Sequence, residues 1–190
     1  MSLTFRELEI PGAFLVDSTR HGDERGFLEE SYRLSAFQDA GIPDDFVQDN
    51  FTRSVRDSLR GLHYQAPPMA QGKLVRVTRG RVYDVGVDLR VGSPTFGRWI
   101  GVELDAGESR SLYLPPGLAH GYCVLSPEAD LSYKVTAEYA PALEGGVRWN
   151  DPVLDIPWPV TSPIVSDKDR VLPSLEDLVS PFRYPTGGDA

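Results

Sequence analysis

Prolines and glycines punctuate this chain along its whole length. Sixteen prolines and eighteen glycines are spread over the 190 residues rather than collected in one region. Because both residue types interrupt regular backbone, they divide the sequence into short segments joined by turns. The sequence therefore predicts many short strands and a mostly β protein.

The clearest strand runs from Arg81 to Leu89, where apolar side chains recur at every second position. The residues that form its apolar face are Tyr83, Val85, Val87 and Leu89. The preceding segment, KLVRVTRG, leads into it through Arg79 and Gly80. This arrangement predicts a hairpin with glycine at the turn.

Further strands follow the same pattern of short runs between turn residues. They are predicted in FVQDNFT, LRGLHYQ, RWIGVEL, SLYLPP, GYCVLS and LSYKVTAEY. About eight strands at this spacing favour a closed or double-sheet antiparallel barrel, which leaves fewer exposed edges than an open sheet.

Helix is predicted in only two places. Arg33 to Ala40 places Leu34 and Phe37 three positions apart and ends at Gly41, and Ser174 to Val179 is the second candidate. No repeat or long linker divides the sequence. We expect one domain over residues 1–190, with a frayed tail over residues 184–190.

The charge and the termini exclude several classes of protein. A net charge of -9 disfavours binding to nucleic acid or to an anionic membrane, although a few local cations could still hold a small anion. The segment MSLTFRELEIPG lacks the basic and long apolar regions expected of a signal peptide, and no stretch is long and apolar enough to span a membrane. The single cysteine excludes an internal disulfide. We expect a cytoplasmic protein in which Cys123 packs rather than reacts.

His63, in the segment SLRGLHYQAP, is the first candidate for chemistry. A metal site is disfavoured because Gly61 and Gln65 cannot complete an alternating histidine pair, and His21 and His120 are distant in sequence. A histidine packed in the core is the usual alternative. Nearby Arg60 and Lys73 instead favour the wall of a polar cavity, because cations are rarely buried without a partner.

Three further segments carry candidate groups. His120 lies in LAHGYCVLS and Tyr133 in LSYKVT, on the same strand face as Leu131 and Val135. The charge run SDKDR, from Ser166 to Arg170, is typical of a solvated loop. From the residues alone, each of these is more often structural than catalytic.

Together these segments resemble the dTDP-4-dehydrorhamnose 3,5-epimerase family, whose members are sugar-nucleotide epimerases of the cupin superfamily. The similarity covers roughly residues 10 to 170. The segments that carry it are DERGFLEESY, FVQDN, LRGLHYQAPP, QGKLVRV, VYDVGVDLR, SPTFGRW, LPPGLAHGYCVLS, YKVT, WNDP and SDKD. The resemblance implies an all-β cupin-type jelly roll with a few short peripheral helices, active without a metal or other cofactor.

The resemblance also implies a reaction and the residues that perform it. The family substrate is dTDP-4-dehydro-6-deoxy-D-glucose, whose C4 ketone acidifies the hydrogens on C3 and C5, and the product is dTDP-4-dehydro-L-rhamnose. His63 is then the base, Asp169 orients it, Tyr133 is the acid, and Lys73 stabilises the enolate. His120 lines the same pocket.

Nucleotide-binding positions of the family are matched as well, at Arg25, Glu30, Gln48, Asp49, Asn50, Arg60, Glu144 and Lys168. The family is generally homodimeric, and its N-terminal region crosses to the neighbouring subunit, so Arg25 and Glu30 are expected to serve the neighbouring site. Arg60 and His63 are three positions apart and would face opposite sides of a regular strand. A bulge or bend at Gly61 would bring them together.

Three alternatives stay open from the sequence. A related enzyme could invert only C3 or only C5 with the same base and acid. A non-catalytic sugar-nucleotide-binding cupin would keep the cationic pocket but lose the base or the acid. A metal-dependent cupin oxygenase would need a metal held by His63 or His120.

Overall fold

Two antiparallel sheets face each other in the computed structural model of the chain, which describes residues 2–43 and 45–185. The strands within these ranges are β1 (Leu3–Glu7), β2 (Phe14–Ser18), β3 (Arg20–Asp23), β4 (Gly26–Glu29), β5 (Gln48–Val55), β6 (Leu59–Gln65), β7 (Lys73–Arg79), β8 (Arg81–Asp88), β9 (Trp99–Asp105), β10 (Arg110–Leu114), β11 (Leu118–Val124), β12 (Glu128–Val135) and β13 (Glu144–Gly146). Two short helices accompany them, α1 (Leu34–Asp39) and α2 (Asp167–Arg170).

Strand order defines the barrel. The six-stranded sheet has the order β1-β2-β10-β7-β12-β5, and the five-stranded sheet has the order β13-β6-β11-β8-β9. The remaining two strands, β3 and β4, form a separate hairpin. Buried side chains from both sheets, such as Val75, Leu112 and Leu131 opposite Val82 and Leu104, form one apolar core between the sheets. This is the cupin-type jelly roll that the sequence predicts.

The apolar face of β8 does not point into the barrel. Val85 and Val87 belong to a second buried cluster that includes Leu154, Ile156 and Phe182, so the C-terminal segment covers the outer side of the five-stranded sheet. The other face of β8 is buried too, because Val82 and Asp84 have no exposed surface. A single apolar face was expected, and the strand is instead enclosed on both sides.

The hairpin predicted at Gly80 is wrong. β7 pairs with β10 and β12, whereas β8 pairs with β9 and β11, so the chain passes from one sheet to the other at Gly80. Only one residue separates the two strands, and Gly80 adopts a φ of +74°. A side chain there would collide with the Glu128 carbonyl, which explains why glycine occupies this corner between the sheets.

Of the two predicted helices, the first is confirmed and the second is wrong. α1 ends before Gly41, whose φ is +84°. Residues 175–177 form a single turn instead of a helix, and the Ser174 hydroxyl accepts a hydrogen bond from the Asp177 amide at 3.2 Å. The run from Ser166 to Arg170, expected as a loop, forms α2.

Five of the strands were not predicted: β1 to β4 and β13. They are three to five residues long and offer little alternation to recognise. At the other end, the Tyr184 amide donates to the Val91 carbonyl at 3.0 Å, although a frayed tail was expected from residue 184. Residues 186–190 lie outside the described residues.

Cys123 is fully buried among Leu59, Val165 and their neighbours. Burial raises the pKa of its thiol to about 12, which keeps it protonated. The thiol therefore packs, as the sequence predicts. In the described part of the chain, no helix has the length and apolar character needed to cross a membrane.

Candidate active site

A cavity of about 510 Å³ lies between the two sheets and α2. The predicted site residues that line it are Arg60, His63, Lys73, His120, Tyr133, Lys168 and Asp169. An adjoining cavity of about 340 Å³ adds Gln48, Asn50 and Glu144, and it shares His63, Lys73 and Tyr133 with the first. These three residues therefore form the wall where the two chambers meet.

A larger groove, of about 950 Å³, lies beside β1 and β9. It is lined by exposed charged residues such as Arg6 and Glu103, and by Trp99. None of the predicted site residues lines it. Size alone does not mark the reactive site here, and the smaller cavities carry the convergent polar groups.

His63 and Asp169 form a dyad although 106 positions separate them in sequence. Asp169 Oδ1 lies 2.7 Å from His63 Nε2, and Asp169 Oδ2 accepts the Gly61 amide at 3.2 Å. Burial alone would raise the pKa of the Asp169 carboxyl, but the hydrogen bonds from His63 and Gly61 outweigh it and hold the pKa below its usual range. An ionised Asp169 keeps the proton on Nε2 and leaves the lone pair on Nδ1, so His63 can act as a base.

Local backbone brings Asp169 into the site. Ser166 precedes α2, and its hydroxyl accepts a hydrogen bond from the Asp169 amide at 3.1 Å. This cap starts the helix at the charge run and turns Asp169 inward, where it is 3% exposed. Lys168, on the same helix, remains at the mouth of the cavity.

The bend at Gly61 confirms that Arg60 and His63 reach one cavity. His120 pairs with His63 across the sheet and Tyr122 pairs with Arg60, with a register shift between them. Gly61 has a φ of +124°, and a Cβ there would lie 2.8 Å from the His120 carbonyl oxygen. Only glycine fits this irregularity, which turns both flanking side chains toward the same space.

Lys73 is an ammonium buried at the base of the site, with 8% of its surface exposed. Its Nζ donates to the His63 carbonyl at 3.1 Å. Burial lowers the pKa of Lys73 to about 8, against the opposing effect of the Asp84 and Glu144 carboxylates. Near neutral pH the side chain still carries the positive charge that a developing oxyanion requires.

Asp84 is a site residue that sequence reasoning missed. It is fully buried, and its two carboxylate oxygens lie 2.9 and 3.1 Å from His120 Nε2. His120 pairs directly with His63, so the two imidazoles lie side by side on one sheet face. The sequence did contain a signal for Asp84, since it lies in the middle of the clearest predicted strand. A carboxylate buried there needs a polar or charged partner.

Tyr133 lines both chambers, and its hydroxyl has no hydrogen-bond partner among the residues that the structure describes. Burial, together with the nearby Tyr122, raises the pKa of this phenol, and Arg60 opposes the shift. The group is therefore a neutral O–H donor near neutral pH. This is the state that an acid needs before it gives up a proton.

Glu144, which lines the smaller cavity, is paired with Lys168, which lines the larger one. Lys168 Nζ lies 2.5 Å from Glu144 Oε1, and the Tyr139 hydroxyl donates to Glu144 Oε2 at 2.7 Å. Tyr139 was not predicted as a site residue, because no pattern in the sequence around it indicated a role. Gln48 and Asn50 lie opposite on β5, joined by a hydrogen bond of 2.9 Å.

Three predicted binding residues lie outside the cavities of this chain. Asp49 points to the other face of β5, where it pairs with Lys134 at 2.8 Å, because alternate residues of a strand face opposite sides. Arg25 lies at the exposed tip of the β3–β4 hairpin and pairs with Asp23. Glu30, just after this hairpin, pairs with Arg33 at 3.2 Å.

Among residues 2–43 and 45–185, no group of three or more histidine, cysteine, aspartate or glutamate side chains is arranged to hold a metal ion. His63 and His120 each have a single carboxylate partner instead. The donors at this site are thus arranged as two imidazole–carboxylate pairs.

Comparison with known proteins gives consistent matches. The sequence model of the dTDP-4-dehydrorhamnose 3,5-epimerase family matches residues 7–177. The dTDP-4-dehydrorhamnose 3,5-epimerase of Pseudomonas aeruginosa is 53% identical over 165 residues, which cover 86% of this chain and 91% of that protein. The enzyme of the same name from Shigella flexneri is 50% identical over 162 residues, covering 85% and 90%.

A solved structure extends the match to three dimensions. It is the dTDP-6-deoxy-D-glucose-3,5-epimerase of Legionella pneumophila in complex with dTDP-4-keto-L-rhamnose. The two proteins are 42% identical with a TM-score of 0.93, and the match covers 97% of this chain and all of that one.

Proposed function

Because this chain belongs to the dTDP-4-dehydrorhamnose 3,5-epimerase family, we propose that His63 and Tyr133 are the base and the acid of its reaction. The protein is an isomerase that converts dTDP-4-dehydro-6-deoxy-D-glucose to dTDP-4-dehydro-L-rhamnose by inverting C3 and C5. One observation carries this assignment of residues. His63 is paired with Asp169, and it lies together with Lys73 and Tyr133 on the wall between the two chambers.

The first step removes a proton from a carbon next to the C4 ketone. His63 Nδ1 takes this proton, and the electron pair left on carbon forms an enolate with its negative charge on the C4 oxygen. Asp169 then faces an imidazolium at 2.7 Å and stabilises its charge. The enzyme needs no redox step, because the electron pair returns to the same carbon together with a new proton.

The enolate oxygen needs positive charge or hydrogen-bond donors, and Lys73 supplies the charge. Its ammonium is largely removed from water, where a Coulomb interaction is stronger than in bulk solvent. His120, whose Nε2 is held by Asp84, lines the same chamber and pairs with His63 across the sheet. Tyr133 completes the inversion by giving its phenolic proton to the opposite face of the carbon. Proton exchange with water then returns the imidazolium and the tyrosinate to their starting states before the second carbon reacts.

Lys73 gives the reaction an alkaline limit. Since the pKa of the buried ammonium is about 8, raising the pH through 8 removes the positive charge from the free enzyme. We expect kcat/KM to fall about tenfold per pH unit above that point, in a profile measured from pH 6 to 10. In Lys73→Arg, whose side chain does not titrate in this range, the alkaline fall should be absent even if the maximal rate is lower.

The diphosphate and nucleoside occupy the polar mouth of the two chambers. Arg60 and Lys168 provide positive charge, which an anionic ligand requires in a protein of net charge -9. Gln48, Asn50 and Glu144 supply amide and carboxylate groups for the polar edges of a base or a ribose. The site is therefore polar well beyond His63, Lys73 and Tyr133, because the nucleotide also needs polar partners.

A homodimer places Arg25 and Glu30 at the site of the neighbouring subunit. The β3–β4 hairpin, which pairs with neither large sheet, exposes Phe27 and Leu28. β5 lies at the edge of the six-stranded sheet and leaves 63% of Phe51 exposed. Packing the hairpin of one subunit on β5 of the other would cover both apolar patches, along the strand whose opposite face lines the cavities.

Light scattering should therefore give about twice the chain mass of 21.0 kDa. Phe51→Arg should shift the protein toward monomer, because a charge would be buried at the contact. Val179→Arg is the matched control, since Val179 is 90% exposed at a different surface. A monomer in the parent protein, or dissociation by the control alone, would contradict this arrangement.

Isotope exchange tests the reaction itself. We expect enzyme incubated with the 4-keto substrate in heavy water to introduce deuterium at both C3 and C5, with inversion at both carbons, as followed by proton NMR. Exchange of the hydrogen on a carbon needs only a base and solvent access, and NMR resolves C3 from C5. The experiment therefore reports on each carbon separately. Deuterium and inversion at only one carbon would instead identify a single-site epimerase.

A further inference from the structure

Three hydroxyl groups form a chain beside Arg60. The Tyr122 hydroxyl lies 3.1 Å from Thr52 Oγ1 and 3.3 Å from Ser54 Oγ, and Arg60 Nε donates to Ser54 Oγ at 3.0 Å. Ser54 is 5% exposed and does not line the active-site cavity, whereas Thr52, Arg60 and Tyr122 do. Ser54 can therefore affect a bound ligand only through its neighbours.

The geometry at Ser54 satisfies both of its contacts at once. A hydroxyl has one proton and two lone pairs, so Ser54 can accept from Arg60 while it donates to Tyr122. Tyr122 in turn can donate to Thr52. Because Ser54 and Thr52 lie on β5 and Arg60 lies on β6, the contact ties the guanidinium to the opposite sheet across the cavity.

Among the cations that line this cavity, Arg60 keeps the largest number of N–H donors for a ligand. Lys73 donates to the His63 carbonyl, and Lys168 is paired with Glu144. Among the described residues, only Ser54 forms a hydrogen bond with the guanidinium of Arg60, and it does so through Nε. The two terminal nitrogens of the guanidinium are left for two oxygens of an anion, which is the contact that its planar geometry favours.

We propose that Ser54 is a positioning residue that fixes Arg60 for the diphosphate of the substrate. Arg60 is otherwise an exposed, flexible side chain, and holding its Nε in place restricts the guanidinium before the ligand arrives. This inference rests on the proposed role of Arg60 in binding the nucleotide. It assigns to Ser54 a specific effect on the phosphate end of the ligand.

Calorimetric titration with dTDP tests the inference. We expect Ser54→Ala to weaken dTDP binding about five- to tenfold, and Ser54→Thr, which keeps the hydroxyl, to bind within about twofold of the parent. KM should rise by a similar factor in Ser54→Ala while kcat changes by less than about twofold. Ser111→Ala is the matched control, because Ser111 has the same 5% exposure in the same sheet and does not line the cavity.

Two comparisons separate positioning from a general structural effect. Thymidine, used as a competitive inhibitor, has no phosphate, so its inhibition constant should be the same in the parent and in Ser54→Ala. In an Arg60→Ala background, which we expect to bind dTDP about thirtyfold more weakly, adding Ser54→Ala should cost less than about twofold more.

The possible failures are distinguishable. If Arg60→Ala binds dTDP as well as the parent, the proposed role of Arg60 is wrong. If Arg60→Ala weakens binding but Ser54→Ala does not, the positioning role of Ser54 is wrong. It is also wrong if the two substitutions act additively, or if Ser54→Ala weakens thymidine as much as dTDP.

Discussion

The variant His63→Asn is expected to turn over about a thousandfold more slowly than the parent, within the range that a positioned general base contributes. Asparagine keeps a polar side chain of similar reach but cannot accept a proton from carbon. Steady-state kinetics on the 4-keto substrate would measure the loss. The thermal unfolding midpoint and the Kd for dTDP should remain close to those of the parent, because neither depends on proton transfer.

Solvent exchange in the same variant gives an independent measure of the base. His63→Asn should introduce no deuterium from heavy water into the substrate over the time in which the parent reaches equilibrium. Rapid exchange at C3 or C5 in this variant would show that another group removes the proton. Unchanged turnover with unchanged dTDP binding would contradict the role of His63 outright.

Tyr133→Phe should lower the rate of inversion by about a hundredfold, since it removes the acid and leaves the base in place. The lost hydroxyl has no hydrogen-bond partner among the described residues, so the substitution should cost little stability. His63 can still remove the substrate proton and return a deuteron to the same face. The substrate recovered from heavy water should therefore carry deuterium at an uninverted carbon.

Tyr83→Phe is the matched control for deletion of a phenolic hydroxyl. Tyr83 lies on β8 but packs with the cluster outside the barrel and lines neither chamber of the site. Removal of the Tyr83 hydroxyl should leave kcat unchanged. Tyr133→Phe could instead slow deuterium exchange as much as it slows inversion. Tyr133 would then take part in removing the substrate proton, and the assignment of His63 as base and Tyr133 as acid would be wrong.

Strand periodicity was sufficient to predict the main body of the barrel. The segment LRGLHYQ was predicted as a strand and forms β6 from Leu59 to Gln65, and Tyr83, Val85 and Val87 do share one face of β8. Local patterns do not reveal which sheet a strand joins. The error at Gly80 has this origin, because a glycine between two strands fits both a hairpin and a crossing between sheets.

The candidate site was predictable to a different degree. His63, Lys73 and Tyr133 lie on strands with readable patterns, but their convergence depends on strand order, which periodicity does not encode. In the sequence Asp169 is one residue of a charge run, and only the structure shows that the Ser166 cap directs it inward. The family resemblance supplied these assignments, and the folded chain shows only that the residues lie together around one pair of cavities.

The segment that covers the outer side of the five-stranded sheet also carries Asp169. A chain emerging from the ribosome would present His63, Lys73 and Tyr133 well before this carboxylate had been synthesised. The imidazole would then lack the partner that fixes its tautomer. With the roles proposed for His63 and Asp169, catalytic competence is expected only after the segment that carries Asp169 has closed over the barrel.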